Sequence, residues 1–587
     1  MDLIRQDSDA LSRPPGSITP LTVSLVQLLI IVLAIIFTSA PLRDRAPLIP
    51  DDYRYLDQVM DLPETGMAGL KRGMIVENRW DESWWIEDGT CVRFFRPFVI
   101  LLYYLDYTLW ALVPEQFVLS NILLHLLTTL FVWRILIRLK IGAQSAFVAA
   151  LLFGIHSAHY ENLYYAAGKT DTLGALGFLL TLYVHIRWRA SKQGFLLTAL
   201  ALFLALGAKE YNVTLPLIIF LLDLYTLKRS WFSVLADNWR YYSGLLAVSV
   251  VYLVFRDYFL ADPTCSIIPF PYIYSPFRPG FLQRTGLVLL QYLLGLTTGV
   301  LIDPFIADFS RLSWRLTDYD FVLAILWIPL LCAWGSKRGV GGWCALVFLI
   351  TLLPLLPLYC SARYLYIPSI FYCALVGLYW EFVRQHKTWV FLAERAALCF
   401  FMFFLPGLRH FNINLEIPKV MTEEQSYPKE IARVFERAAF YLDTPSPIYL
   451  LEFPHDWIAL QFLSPSLRSL VSRQLPPLHV LSRAPQSQRG PVSSPGLSLE
   501  QVDGRTITLE RPGAALYIGR SDYDLDERPA AVGDSFREQG FTVRVLGLNK
   551  GRISKVEIRF DQSLVELQFG MYAEADQGKW EIDRIKF

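Results

Sequence analysis

The segment "LTVSLVQLLIIVLAIIFTSA", residues 21–40, carries no charged residue along its whole length. A helix needs about 20 predominantly apolar residues to cross a bilayer. Pro41 follows the segment where a cleaved signal peptide would have a small-x-small site, so we expect a retained first span. This stretch therefore predicts an integral membrane protein.

Composition agrees with that class. Of the 587 residues, 54% are hydrophobic and only 18% are charged, whereas soluble domains carry about 25% charged residues. The net charge is +1, which argues against a polyanion-binding role and against nucleic acid as a partner. With the first segment, we predict about 11 spans in a polytopic α-helical fold; the others lie at 117–138, 143–160, 172–188, 195–208, 213–227, 241–259, 320–336, 340–358, 364–382 and 388–406.

Lysines and arginines indicate the orientation of these spans. They cluster after alternate spans, as in "RLK" at 138–140 and "KR" at 228–229, so we expect a cytoplasmic N-terminus. Two apolar stretches, 96–115 and 285–304, each lie between points that must both be outside. We therefore predict that they lie along the outer interface or re-enter from it. Loop 1, residues 41–95, is then on the outer side, as is the C-terminus.

The sequence changes character after about residue 408. Residues 1–408 form the predicted membrane domain, and residues 409–587 read as a soluble extracytoplasmic α+β domain. Alternating apolar and polar residues predict a β-meander at about 504–587, with "FTVRVLGL" and "RISKVEIRF" among its strands. Cys91 and Cys265 fall in two loops that this topology places on the same side, which leaves a disulfide between them open.

Ionisable residues near a bilayer are costly and often functional. Most of those in this chain fall at the predicted outer face, although they come from widely separated segments. They are Asp51, Asp52, His156, His159, Glu161, Lys169, Asp171, Lys209, Glu210 and Arg363. Convergence on one depth is what a shared site would produce.

Structural roles remain open for several of these residues. Asp51 and Asp52 could cap a helix, and Arg363 could reach the lipid headgroups as interfacial arginines often do. Lys209 and Glu210 could neutralise each other at the end of a span.

The histidines also allow more than one interpretation. His156, His159 and Glu161 suit either a metal site or a hydrogen-bonded helix end. We favour the second, because no fourth ligand has suitable spacing. For His125 we expect a hydrogen bond between helices.

Five segments carry a resemblance to a known family. They are "RPFVILLYYLDYTLW" (96–110), "FVLSNILLHLLTTLFVWRI" (117–135), "HSAHYENLYYAAGKTDTLGALGFLLTL" (156–182), "LGAKEYNVTLPLIIFLLDLY" (206–225) and "SARYLYIPSI" (361–370). Over residues 45–385 the chain resembles the GT-C class of membrane glycosyltransferases related to the protein O-mannosyltransferases. It is similar in particular to the transmembrane tetratricopeptide-repeat O-mannosyltransferases, but no 34-residue helical repeat is visible in its C-terminal part.

The resemblance implies a role for the acidic pair in "PLIPDDYRYL", residues 47–56. Enzymes of this class carry such a pair in the first outer loop, where one carboxylate deprotonates the acceptor hydroxyl. We assign the general base to Asp51 and an orienting role to Asp52. A nearby carboxylate can take the proton of an alcohol that is otherwise a poor nucleophile. Direct displacement at the anomeric carbon inverts its configuration.

The same resemblance implies a polyprenyl-phosphate-sugar donor and a protein or glycan acceptor. Cations are needed for the phosphate leaving group, and Arg363, Lys209 and Arg96 are the candidates, in that order. The residues assigned to the sugar or acceptor are His156, His159, Glu161, Asp171, Glu210 and Tyr366. Glu161 and Asp171 could instead hold the cationic groups in place. No metal or other cofactor is predicted, although carboxylates near a lipid phosphate could hold Mg²⁺ or Mn²⁺.

Two rival functions remain at this point, a transporter or flippase for lipid-linked sugars and a non-catalytic scaffold. A transporter would place charges at the bilayer midplane and often show internal repeats, and neither feature is visible. Because the helical repeats of the eukaryotic relatives are missing, we expect a bacterial inner membrane, with the site on its outer side.

Overall fold

The structure is a computed structural model, and it describes most of the helical region and the sheets that follow it. The described residues are 20–42, 52, 55–56, 58–60, 74–79, 84–85, 91–189, 191–262, 265, 276–277, 279–298, 318–337, 339–358, 360–385, 393–395, 408–415, 446–452, 477–482, 496–516, 530–575, 579–585 and 587.

Helices dominate the chain as far as residue 385. In chain order they are α1 (Pro20–Ser39), α2 (Pro97–Trp110), α3 (Pro114–Arg138), α4 (Ala143–Gly154), α5 (Tyr160–Tyr164), α6 (Lys169–Trp188), α7 (Lys192–Ala208), α8 (Leu215–Leu227), α9 (Trp231–Leu260), α10 (Phe281–Thr298), α11 (Asp318–Ser336), α12 (Gly339–Leu352) and α13 (Tyr366–Gln385). Prolines stand in the first turn of α2, α3 and α8, where the missing N–H costs nothing because it would have no partner within the helix.

Five described stretches are long and apolar enough to cross a membrane: Ser24–Leu42, Pro114–Arg138, Glu210–Leu227, Trp231–Leu260 and Ala362–Gln385. In α9, large apolar side chains such as Leu246 and Val254 are exposed, as expected of a surface that faces lipid. The protein is therefore an integral membrane protein. The total of eleven spans stays a prediction, and the last of them, 388–406, lies outside the described residues apart from 393–395.

Small residues allow the helices around the candidate site to approach closely. A side chain at Gly377 in α13 would collide with the backbone of α4 at Ser145, and one at Gly177 in α6 would collide with Ala205 of α7. Such close approach strengthens the packing between membrane helices.

Part of loop 1 forms a two-stranded hairpin. Strands β1 (Ile75–Arg79) and β2 (Cys91–Phe95) pair antiparallel, with Ile75 opposite Phe95. Cys91 forms a disulfide with Cys265, with 5.6 Å between the Cα atoms, so the pairing that the sequence left open is present. Strand β2 leads directly into Arg96, which precedes α2.

The C-terminal part contains two sheets built from β3 (Ile448–Leu451), β4 (Leu478–Val480), β5 (Ser498–Gln501), β6 (Thr506–Glu510), β7 (Ser535–Glu538), β8 (Phe541–Asn549), β9 (Arg552–Phe560), β10 (Gln568–Ala575) and β11 (Lys579–Ile585). Their strand orders are β5-β6-β9-β8-β7 and β11-β10-β3-β4. The strands expected at 504–587 are therefore divided between the two sheets: β6 to β9 lie in the first, and β10 and β11 lie in the second. In the second sheet β10 pairs in parallel with β3, which precedes the expected range.

Loop 1 also reaches the core of these sheets. Trp84 is buried and packs in one cluster with residues such as Ile507 and Val543. Its indole N–H donates to the carbonyl of Leu481 at 3.1 Å, which gives the polar edge of the ring the partner that a buried tryptophan requires. The C-terminal part thus holds the loop that carries Asp52.

Candidate functional site

Asp52 lies in a buried helical stretch of loop 1 and is 1% exposed. Its Oδ1 atom accepts a hydrogen bond of 2.7 Å from the backbone N–H of Ala167 and one of 3.4 Å from the hydroxyl of Tyr103. Loop 1 is therefore tied through this carboxylate to the segment before α6 and to α2. Asp51, the predicted general base, lies outside the described residues.

Arg96 and Glu210 form the second element of the site. The guanidinium donates to both carboxylate oxygens of Glu210, at 3.2 and 3.3 Å, and to the hydroxyl of Tyr55 at 3.3 Å. The Tyr55 ring stacks on that of Tyr103 at 4.6 Å. A two-pronged contact of this kind is the strong form of an ion pair, and here it joins the start of α2 to the turn after α7.

Lys209 pairs with Asp171, the acidic residue in the first turn of α6. The ammonium group lies 3.2 and 3.3 Å from the two carboxylate oxygens. Burial lowers the pKa of Lys209 to about 8, although Asp171 acts in the opposite direction. The alternative in which Lys209 and Glu210 neutralise each other thus gives way to two other pairs, Lys209 with Asp171 and Glu210 with Arg96.

A third buried pair joins Lys169 to Asp106, which the sequence analysis did not assign to the site. Lys169 is fully buried at the start of α6 and donates to Asp106 of α2. Its ammonium group also lies 4.3 Å from the centre of the Tyr103 ring. The available signal was a lone aspartate inside an apolar helix, which in a membrane protein calls for a cationic partner.

Glu161 anchors the turn that contains Arg363. One carboxylate oxygen accepts from the Ser361 hydroxyl at 2.5 Å and from the backbone N–H of Arg363 at 3.0 Å. The other accepts from Tyr160 at 3.2 Å. Of the two roles left open for Glu161, these contacts favour that of holding a cationic residue in place.

The predicted histidines are buried and hydrogen-bonded. His156 lies 2.9 Å from the carbonyl of Leu296, and His159 lies 2.9 Å from the hydroxyl of Ser369. The His159 ring also packs on Tyr366, with 4.7 Å between ring centres. These contacts favour the hydrogen-bonded helix end over a metal site.

His125 bridges helices, as expected. Its two ring nitrogens lie 2.6 Å from the Tyr366 hydroxyl in α13 and 3.0 Å from the Gly154 carbonyl in α4. It therefore holds the N-terminal end of α13 against the C-terminal end of α4.

Together these charged residues form one polar layer at one end of the helices. We use "polar layer" for Asp52, Arg96, Asp106, Glu161, Lys169, Asp171, Lys209, Glu210 and Arg363. Electrostatic interactions connect Lys209 with Arg96, Glu210 and Arg363. The structure therefore brings the described carboxylates and cations of the predicted site together, whereas His156 and His159 bond to Leu296 and Ser369 outside this layer. Within the described part of the chain, no group of His, Cys, Asp and Glu suits a metal ion.

Comparison with known proteins confirms the resemblance over part of the chain. Human protein O-mannosyl-transferase TMTC1 is 31% identical over 121 residues, which cover 20% of this chain and 14% of the relative. Human protein O-mannosyl-transferase TMTC3 is 27% identical over 125 residues, with the same two coverages. The matched segment thus spans about one seventh of the length of either relative. No protein-family model matches the chain.

Among solved structures, an oligosaccharyltransferase from Archaeoglobus fulgidus, tethered to an acceptor peptide, has a TM-score of 0.46 at 10% identity. The alignment covers 77% of this chain and 64% of that one. A TM-score at this level is too low to establish a shared fold.

Proposed function

We propose that this chain, similar over a fifth of its length to protein O-mannosyl-transferases, is a membrane glycosyltransferase of the GT-C class. It moves a sugar, with mannose as the first candidate, from a polyprenyl-phosphate donor to a hydroxyl of a protein or glycan acceptor. Displacement occurs directly at the anomeric carbon and inverts it. The site lies on the outer side of a bacterial inner membrane.

The observation that carries this proposal is the way Asp52 is held. Its Oδ1 atom accepts from Ala167 and Tyr103 in a buried position. A carboxylate committed to such donors is suited to orienting a loop. The adjacent carboxylate of Asp51 then takes the acceptor proton as the hydroxyl attacks.

Cations of the polar layer receive the leaving phosphate. Arg363, Lys209 and Arg96 are the candidates, and both arginines lie close enough to Lys209 for their charges to lower its pKa. Fixed charges stabilise a developing phosphate charge without moving a proton. Because Asp171 and Glu210 hold Lys209 and Arg96 in place, these two cations need little reorganisation when the donor binds.

The disulfide supports the outer placement of loop 1. Disulfides form and persist in oxidising surroundings, and Cys91 lies in the loop that carries Asp52. The C-terminal part, which packs around Trp84 of the same loop, is then on the acceptor side, where it binds the acceptor or an assembly partner.

The test is turnover in liposomes that contain the purified protein, radiolabelled polyprenyl-phosphate mannose and membrane extract as the acceptor. We expect label to move into the acceptor fraction. Movement of labelled lipid between leaflets without acceptor labelling would instead identify a transporter. If neither transfer nor lipid movement occurs with any of several donor sugars tested in parallel, the non-catalytic scaffold is the remaining function.

A further inference from the structure

A second polar cluster lies at the opposite end of the helices from the polar layer. Its centre is Asp223 of α8, which accepts from the Tyr242 hydroxyl at 2.7 Å and from Arg189, and lies 3.1 Å from His185 Nε2. His185 is fourteen positions after Asp171 in α6. At a rise of about 1.5 Å per residue, the two clusters are roughly 20 Å apart. They cannot share one small ligand.

A cavity of about 890 Å³ opens beside Asp223. Its basic lining residues, Arg138, Lys140, Arg189 and Lys228, come from three different helix ends, and its acidic ones are Asp223 and Glu381. Both carboxylates already have cationic partners. Arg189 pairs with Asp223, and Arg384 pairs with Glu381 at 2.6 Å.

The remaining cations give the cavity a positive field. Arg138, Lys140 and Lys228 make no ion pair in the part of the chain that the structure describes. Cations near helix C-termini also offset helix dipoles, which explains each position separately. That effect does not explain why three such cations from two helix ends line the same cavity.

Much of the remaining lining is apolar or aromatic, beside the polar residues Ser145, His185, Thr226 and Gln385. Leu139, Ile141, Trp334 and Phe382 contribute to it, and the rings of Trp334 and Phe382 pack at 5.7 Å. A free anion would gain nothing from these walls. An amphipathic anion would use both parts of the cavity, because apolar surface removed from water is stabilising and basic pockets between membrane helices bind lipid headgroups.

We propose that this cavity binds the phosphate group of an anionic membrane lipid, with Arg138, Lys140 and Lys228 around the phosphate and Trp334 and Phe382 against the hydrocarbon chain. The site is separate from the polar layer and serves no step of the proposed transfer.

The test measures thermal unfolding of the full detergent-solubilised chain during titration with phosphatidylglycerol, phosphatidylcholine or inorganic phosphate. We expect phosphatidylglycerol to raise Tm much more than the other two. In R138Q/K140Q/K228Q, the phosphatidylglycerol concentration that gives half of the full Tm shift should rise at least roughly tenfold, since each surface cation contributes substantially to binding anionic lipid.

The matched control is R134Q/R187Q/K192Q. These residues are also exposed, occur in the same end region of the helices and do not line the cavity, so the midpoint should stay unchanged. The single variants K140Q and K228Q provide the same comparison if the triple variant does not purify.

Three results would overturn the proposal. Equal weakening in both triple variants would mean diffuse attraction to the membrane surface. An equal Tm shift with inorganic phosphate would mean a site for the free anion. No preference of the wild type for phosphatidylglycerol over phosphatidylcholine would mean that the cavity selects no anionic lipid.

Discussion

The guanidinium of Arg96 donates hydrogen bonds to both carboxylate oxygens of Glu210, at 3.2 and 3.3 Å, although the two residues are 114 positions apart along the chain. The pair joins loop 1 and the start of α2 to the turn that follows α7. Arg96 is 8% exposed, so the cost of burying its permanent charge is offset by this partner.

Glu210→Ala should therefore destabilise the protein strongly. Removing Glu210 leaves the buried charge of Arg96 uncompensated, at a cost of up to about 3–5 kcal/mol. Chemical unfolding in detergent measures this change. The control is Asp561→Ala, which breaks the exposed Arg537–Asp561 pair of 2.7 Å and should cost less than about 1 kcal/mol. Similar losses in both variants would contradict the structural role given to Arg96 and Glu210.

The Lys169–Asp106 pair predicts recovery in a double variant. Lys169→Met leaves Asp106 without a cationic partner in an apolar setting, and Asp106→Leu leaves Lys169 without an anionic one. Each substitution should therefore lower the free energy of unfolding by about 3–5 kcal/mol. Lys169→Met/Asp106→Leu removes both charges and should regain most of that loss. A double-mutant cycle measures the coupling. Additive losses would show that the two charges do not depend on each other.

Lys209 predicts an alkaline limit to transfer. Its pKa is lowered by burial to about 8, so the cation is lost as pH rises through 8, where an ordinary lysine would stay charged to about pH 10. Transfer should fall above pH 8, because the neutral amine no longer attracts the donor phosphate.

The pH–rate profile of Lys209→Arg checks this assignment. Arginine stays protonated throughout that range, so the limb near pH 8 should disappear even if the maximal rate drops. An unchanged limb would assign the titration to another group. Unfolding caused by this lysine does not explain the fall in rate. Between pH 8 and 10, Lys209 binds fewer protons in the folded than in the unfolded protein, so its contribution to the free energy of unfolding rises with pH.

The Cys91–Cys265 disulfide tests the orientation. A membrane-impermeant reductant followed by a membrane-impermeant maleimide should label Cys265, which is partly exposed whereas Cys91 is buried, in sealed, right-side-out cells, and Cys91→Ser/Cys265→Ser should abolish that label. Labelling only after the membrane is opened would reverse the assigned topology. The buried thiols Cys344 and Cys373 should remain unlabelled in either case.

Sequence alone predicted the helical character of the chain because apolar length and Pro punctuation are local signals. It also predicted that Glu161, Asp171, Lys209 and Arg363 would meet, since charges in a membrane protein gather where water or another charge can reach them. The partners were harder to predict. Glu210 pairs with Arg96 and not with its neighbour Lys209, because α2 packs on α7.

The C-terminal sheets show the same limit. The β8–β9 hairpin follows from alternation and a turn at Lys550–Gly551, where both residues have positive φ. The parallel pairing of β10 with β3 joins strands more than 100 residues apart. Alternation gives the side-chain face of a strand but not the identity of such a distant neighbour.

The most direct test of the central claim compares donor binding and transfer in Asp51→Asn. With radiolabelled polyprenyl-phosphate mannose, the variant should bind donor like the wild type while its transfer rate falls by about 10²–10⁴-fold, the usual contribution of a general base. Wild-type transfer by a folded Asp51→Asn protein would contradict the account.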